Sequence, residues 1–255
     1  MHIAPKLLTI LALLLTFADI NGQDAQKLKF GLMAGTNLSW IKSRSPELDG
    51  RGVKPGFQYG LFADFAFKGN PNYYFSSGMI FRHQYLPLSY NAAEYVSSVA
   101  IASEREGRIS ANYLFIPTAL KMRTDEIGYS VWSGLFGIST GIRLRGEEQY
   151  QATLITGNQR RDAGSFERDV SDQLKAIVLS FDIGVEWERK ISGNTFFTLG
   201  IQFNNGITNL LNMRAWSQLP GGATDLGLVL PNGNGQGNFL KANTRTLSIN
   251  VGVYF

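Results

Sequence analysis

The stretch Ala242 to Phe255, ANTRTLSINVGVYF, decides the fold. From Leu247 onward, Leu247, Ile249, Val251, Val253 and Phe255 fall on one face, and Thr246, Ser248, Asn250, Gly252 and Tyr254 on the other. A period of two is that of a β-strand. The non-apolar face carries Ser, Asn, Gly and Thr, not the Lys and Glu of a strand that meets bulk water. Such a strand fits lipid on one side and a cramped polar interior on the other.

The same alternation recurs along the chain. Leu28 to Trp40 sets Phe30, Leu32, Ala34 and Leu38 against Gly31, Met33, Gly35, Asn37 and Ser39. Phe57 to Lys68 and Tyr73 to Leu86 repeat it, with a turn at Gly69-Asn70-Pro71-Asn72 between them. Arg108 to Arg123 carries Leu114, Ile116, Leu120 and Met122 on its apolar face, and Gly128 to Gly146 carries Trp132, Phe136, Ile138, Ile142 and Leu144. Lys175 to Arg189 sets Ile177, Leu179, Phe181, Ile183, Val185 and Trp187 against Ser180, Asp182, Gly184, Glu186 and Glu188. Thr195 to Leu210 follows the turn Ser192-Gly193-Asn194. Pro117 interrupts the fourth strand, and because proline cannot donate to a ladder a bulge is expected there.

These segments predict eight antiparallel strands with long connections over Lys42–Pro55, Pro87–Glu106, Glu147–Leu174 and Leu211–Lys241, and short turns between the others. A secreted lipocalin-like barrel would show the same one-dimensional pattern. The small residues and isolated charges of the polar faces favour a narrow lumen, hence an all-β, eight-stranded, up-and-down transmembrane barrel. An even strand count puts both ends on one side, and barrels of this kind keep short turns periplasmic and long loops outside. The terminal Phe255 resembles the last residue of bacterial outer-membrane barrels. Outer-membrane location, extracellular long loops and periplasmic termini are therefore expected.

Lys6, the apolar run Leu7 to Phe17 and the small residues after it read as a secretory leader cleaved after Gly22. Residues 1–22 are assigned to a signal peptide and 23–255 to one barrel domain. The apolar run falls short of the ~20 residues of a spanning helix. The 255 residues include no cysteine, which excludes disulfides, thiolate chemistry and lipoprotein anchoring. The net charge is +4, but its charges are scattered and form no nucleic-acid patch.

Arg82, Lys121, Arg123, Arg143, Arg145, Asp64, Lys68, Asp182, Glu186 and Glu188 lie on polar faces and are expected to pair within the filled lumen. The only histidine after the leader, His83, shares a face with Phe81 and Tyr85. It reads as a girdle residue at the membrane boundary; a catalytic alternative would enlist Ser89 and Asn91. Gly233-Asn234-Gly235-Gln236-Gly237 has glycines like a phosphate loop but no βαβ context. No catalytic, cofactor-binding or metal-binding residue is assigned.

Phe30 to Ser39, FGLMAGTNLS, resembles the opening strand of the PorT-like outer-membrane barrel proteins of Bacteroidetes, with Met33 where Lys is usual. Tyr113 to Lys121, YLFIPTALK, is similar to that family's Y-L-x-I-P-x-x-L-K strand, and Phe181 to Glu186 to a later D-x-G strand. The resemblance implies an eight-stranded outer-membrane barrel and, through the family's founding member, a link to type IX protein secretion. The expectation is thus a non-enzymatic, monomeric barrel without cofactor, structural or surface-binding or accessory to secretion. Its partners would be outer-membrane lipid and secretion-system or surface proteins, with no nucleic acid. A lipid-modifying hydrolase or acyltransferase and a narrow porin for small solutes are the alternatives.

Overall fold

The structure, a computed structural model, describes residues 28–96, 99–193, 195–215 and 238–255. The leader, the glycine-rich run 233–237 and most of the last long connection lie outside the described residues. The strands are β1 (Leu28–Ser43), β2 (Leu48–Gly50), β3 (Lys54–Phe67), β4 (Asn70–Val96), β5 (Val99–Arg123), β6 (Ser130–Thr156), β7 (Gln159–Asp169), β8 (Ile177–Ser192), β9 (Thr195–Gly206), β10 (Arg214–Ala215), β11 (Asn238–Phe239) and β12 (Ala242–Tyr254). Eight of them, in the order β1-β3-β4-β5-β6-β8-β9-β12, pair antiparallel around a closed ring, β12 meeting β1 through Leu247↔Leu38 and Val251↔Ala34. Closure leaves the ring no free edge, which is the condition for backbone to cross lipid.

The faces are inverted relative to a water-soluble barrel. Phe30, Leu61, Trp132, Ile183 and Val251 stand outward and exposed, while Asn37, Ser39, Gln58, Arg82, Lys121 and Ser248 are buried inside. Burying uncharged and charged polar groups is tolerable only when they are hydrogen-bonded to one another, and the eight-strand ring brings them close enough to do so. Gly141 illustrates how little room is left: a Cβ there would lie 2.7 Å from the Phe115 ring.

Two expected connections are strands instead. β4 has 27 residues and β6 has 27, far more than the roughly 9–11 that cross a membrane. The β4–β5 ladder continues unbroken from Phe115↔Ile80 to Val99↔Val96, and β6 turns back on β7 from Thr156↔Gln159 to Glu147↔Asp169. With β2 paired to β4, the order β2-β4-β5-β6-β7 forms a sheet that rises beyond one end of the ring. Gly157, with φ 59°, makes the β6–β7 turn in the left-handed region open to glycine.

Pro117 does not bulge its strand. The β4 ladder skips Gly78 and Met79 opposite it and resumes in the same register, Ser77↔Thr118 and Ile80↔Phe115. In an antiparallel strand N–H and C=O of one residue point to the same neighbour, so the missing donor is lost only toward β4, where the Ser77 hydroxyl donates to the Pro117 carbonyl at 2.9 Å. The bulge of this region lies in β6, where Leu144 is the extra residue opposite Asn112/Tyr113 of β5.

Candidate functional site

Three layers fill the barrel from one end to the other. At the end bearing the short turns, the Lys121 ammonium is the hub. Fully buried, it lies 3.0 Å from Asp64, 2.6 Å from Glu186 and 3.0 Å from Glu188, and donates to the Tyr254 hydroxyl at 3.3 Å. Arg123 pairs with Glu188 and donates to the Tyr74 hydroxyl at 3.3 Å, and the Ser76 hydroxyl donates to Asp64 at 2.6 Å. β3 supplies Asp64, β4 Tyr74 and Ser76, β5 Lys121 and Arg123, β8 Glu186 and Glu188, and β12 Tyr254, residues two apart on each strand sharing its inward row.

The middle layer uses neutral partners. Asp182 accepts from Ser180 at 2.9 Å, from Asn204 at 2.6 Å and from Ser139. Arg82 donates to Gln58 at 2.7 Å and lies 4.5 Å over the Phe115 ring, and Gln58 in turn donates to Asn250 at 2.7 Å. The void beside this layer is about 40 Å³, bordered by Ser76, Asp182, Glu186, Gln202, Asn250 and Tyr254. That is room for a few waters and for no solute.

The third layer is apolar and stops the mouth beneath the external sheet. Leu48, Leu86, Leu88, Ile109, Leu174, Leu211 and Leu240 are all buried there in one cluster. The links after β7 and β9 fold over the opening, Lys175 N–H donating to Leu210 O at 2.8 Å and Leu240 N–H to Met213 O at 2.9 Å. Arg143 donates to the carbonyls of Ser171 and Leu174 and so ties β6 to this lid. Above it, Tyr90 donates to Glu148 at 2.7 Å, and Arg168 donates to Glu148 and to the Tyr90 oxygen at 2.7 and 2.9 Å. Burial, reinforced by the Glu148 carboxylate, pushes the Tyr90 phenol up from its ordinary value.

Of the charges expected in the lumen, two are elsewhere. Lys68 is exposed beside the β3–β4 turn. Arg145 points outward, paired with Glu147, because the bulge sets Asn112 opposite Arg145 but Tyr113 opposite Arg143 and reverses the alternation beyond that point. Asp182 is satisfied by hydroxyl and amide donors in place of a direct ion pair.

His83 stands on the outer wall as expected, half-buried, stacked on Phe57 with centroids 5.1 Å apart and met edge-on by Tyr85 at 4.6 Å. Its neighbours are not those the sequence suggested. Ser89 is buried further along β4 and accepts from Arg51 at 3.0 Å, and Asn91 lies opposite Glu104 in the external sheet. The side chains that reach the imidazole are Asn112 and Ser110 from β5. Among the described residues no cluster of His, Asp and Glu has the arrangement of a metal site.

Against known proteins, residues 18–212 match the model of the outer membrane protein beta-barrel domain family. The chain belongs to that family. Its members are barrels of the bacterial outer membrane, in agreement with the closed ring and its apolar exterior. Among solved structures the chain is similar to Neisserial surface protein A, at 11% identity and a TM-score of 0.39 over 88% of this chain and 95% of that one. It is similar to OprG of Pseudomonas aeruginosa, at 10% identity and a TM-score of 0.40 over 89% and 95%. The attachment invasion locus protein Ail of Yersinia pestis gives 13% identity and a TM-score of 0.34 over 90% and 99%. Likeness at this level adds nothing to the family assignment. No curated protein matches the sequence.

Proposed function

We propose that this outer-membrane barrel is a structural, surface-binding protein that acts as a monomer, with its external sheet as the working part. The observation that carries the reading is the filled interior: among the described residues a charge cluster, a hydrogen-bonded layer and an apolar stopper leave voids of about 40 and 10 Å³, while β4 and β6 extend well past the length needed to cross a membrane. Strand built beyond the ring requires ordering many residues, and its outermost strand, β7, pairs, among the described residues, only on the β6 side. An edge of this kind accepts a further strand from a partner. The sheet faces the exterior and both termini the periplasm. The similarity of Tyr113 to Lys121 to the PorT-like proteins adds an accessory role in protein secretion, in which the partner would be a secreted or secretion-system protein.

Two measurements test this. An epitope tag inserted between Gly157 and Asn158 should be stained on intact cells, and one between Gly69 and Asn70 only after permeabilisation; the reverse pattern would invert the topology. In planar lipid bilayers the purified protein should give no conductance steps, and discrete steps would restore the narrow porin.

A further inference from the structure

Where β4 and β5 leave the ring, three polar side chains meet on a wall otherwise built for lipid. His83 lies directly opposite Asn112 in the β4–β5 register. Its Nδ1 shares a hydrogen bond with the Asn112 amide oxygen. On the other side of the ring, Nε2 lies 3.5 Å from the Ser110 hydroxyl. Ser110 and Asn112 are two apart on one strand and so share a face, which sets them at the two nitrogens of one imidazole. An amide oxygen only accepts, so in the neutral imidazole that accepts a proton from Ser110 the Asn112 oxygen would hold the hydrogen on Nδ1 and leave Nε2 facing the hydroxyl. A hydroxyl, an imidazole and a group that fixes the tautomer are the nucleophile, base and orienter of serine hydrolases, and a contact of 3.5 Å is within the looseness such pairs show without substrate. A histidine serving only as a girdle residue needs neither partner.

The imidazole is held firmly. Phe57 and Tyr85 pack on it as described, and from inside the barrel Asn37 donates to the His83 carbonyl at 3.1 Å. Beyond Ser110 on the same face comes Arg108, which lies 4.9 Å over the Tyr85 ring and donates to Gln149 at 2.8 Å. Arg108, Arg51 and Lys54, with Glu106 as the one acid, line an open cleft of about 390 Å³ two residues along β5 from Ser110; Arg51 lies 3.7 Å from Glu104 and 3.8 Å from Glu106, which leaves Arg108 and Lys54 as the cations facing it. Apolar wall on one side and a cationic cleft on the other match the two ends of an anionic lipid.

We propose that Ser110, His83 and Asn112 form a hydrolytic site for acyl esters of anionic membrane lipids. Ser110 Oγ attacks the ester carbonyl as His83 Nε2 takes its proton. The ester C–O bond breaks, His83 returns the proton to the departing lipid oxygen, and the acyl group is left on Ser110. Water, deprotonated by His83, then attacks the acyl-serine; the fatty acid leaves and the proton returns to Ser110. Asn112 is a positioning residue, and the cleft holds the phosphate. This activity is additional to the surface-binding reading and does not rest on it.

The test uses the full chain folded in vesicles of phosphatidylethanolamine and phosphatidylglycerol, with folding verified by the mobility shift on boiling. An alkyl fluorophosphonate should modify Ser110, located by mass spectrometry, and the vesicles should release fatty acid. Ser110→Ala should abolish both. His83→Gln should slow both by about 10²- to 10⁴-fold. Asn112→Leu should slow both, and Asn112→Asp should restore them, a rescue that a merely structural role would not give. Arg108→Gln should lower release from these vesicles toward the rate seen with phosphatidylcholine alone. Folded protein without a Ser110 adduct would overturn the proposal, as would labelling indifferent to His83→Gln or release that survives Ser110→Ala. Equal wild-type rates on anionic and zwitterionic vesicles would overturn the choice of substrate.

Discussion

Replacing Lys121 by Met removes the cation at the centre of the lumen while keeping much of its volume. Lys121 and Arg123, with Lys29 whose ammonium lies 5.7 Å over the Tyr74 ring beside Arg123, are set against three carboxylates, Asp64, Glu186 and Glu188, at this end of the barrel. After the substitution Asp64 keeps only the Ser76 hydroxyl among the partners described above, and the cluster holds one excess negative charge with Asp64 and Glu188 each 1% exposed. Breaking a buried ion pair by removing one partner costs about 3–5 kcal/mol, because the remaining charge stays desolvated. Lys121→Met should therefore lower unfolding stability by about that amount, measured by reversible urea unfolding in lipid vesicles with tryptophan fluorescence as the readout. Adding Glu186→Gln removes the excess charge, so the double variant should recover more than half of the loss; the two sites touch and their effects are not additive. A loss under about 1 kcal/mol in the single variant, a size typical of an exposed pair, would refute the buried hub. A double variant no better than the single would refute the charge-balance argument.

Two further predictions concern the wall and the external sheet. Val251, exposed on the outer face, should tolerate Arg poorly, at about 2–4 kcal/mol near the midplane, whereas Asn250→Ser should cost about 1 kcal/mol through loss of the 2.7 Å bond from Gln58; a larger penalty at Asn250 would mean the faces are reversed. In spectrophotometric titration the signal that Tyr90→Phe removes should appear only above the ordinary phenol range near pH 10, since burial and Glu148 raise that group. The folded sheet then holds a proton that the unfolded chain releases, so stability falls as pH rises above about 10; a Tyr90 signal centred near 10 would contradict the buried network.

The spanning strands were legible because one physical rule, apolar outward and small or polar inward, runs unbroken through Leu247 to Phe255 and Ile177 to Trp187. The external sheet was not, although its trace is in the chain. Along β4 the inward row passes from Arg82 and Gln84 to Leu86, Leu88, Tyr90 and Ala92 without changing parity. Polarity inverts there because the row leaves the hydrogen-bonded lumen and enters the apolar stopper, and Pro87 with the polar residues around it reads as a loop. The outward turn of Arg145 is not legible, because one bulge reverses alternation beyond it and a bulge is a property of two strands. The outward face of His83 is legible from its alternation with Phe81 and Tyr85. Its partners Ser110 and Asn112 are 27 and 29 residues away and are chosen by the β4–β5 register, which no local pattern states.

The central claim is a closed barrel with its apolar face in lipid, and the absence of native cysteine makes it open to site-directed spin labelling. Single cysteines at Leu247, Ser248, Ile249 and Val251 would be introduced, the protein folded in vesicles, and each label's collision with oxygen and with a water-soluble nickel complex recorded. Labels at Leu247, Ile249 and Val251 should collide with oxygen and be shielded from nickel, while Ser248, buried in the lumen, should resist labelling until the protein is unfolded. Nickel access at Ile249 and Val251, or ready labelling of folded Ser248, would contradict the account.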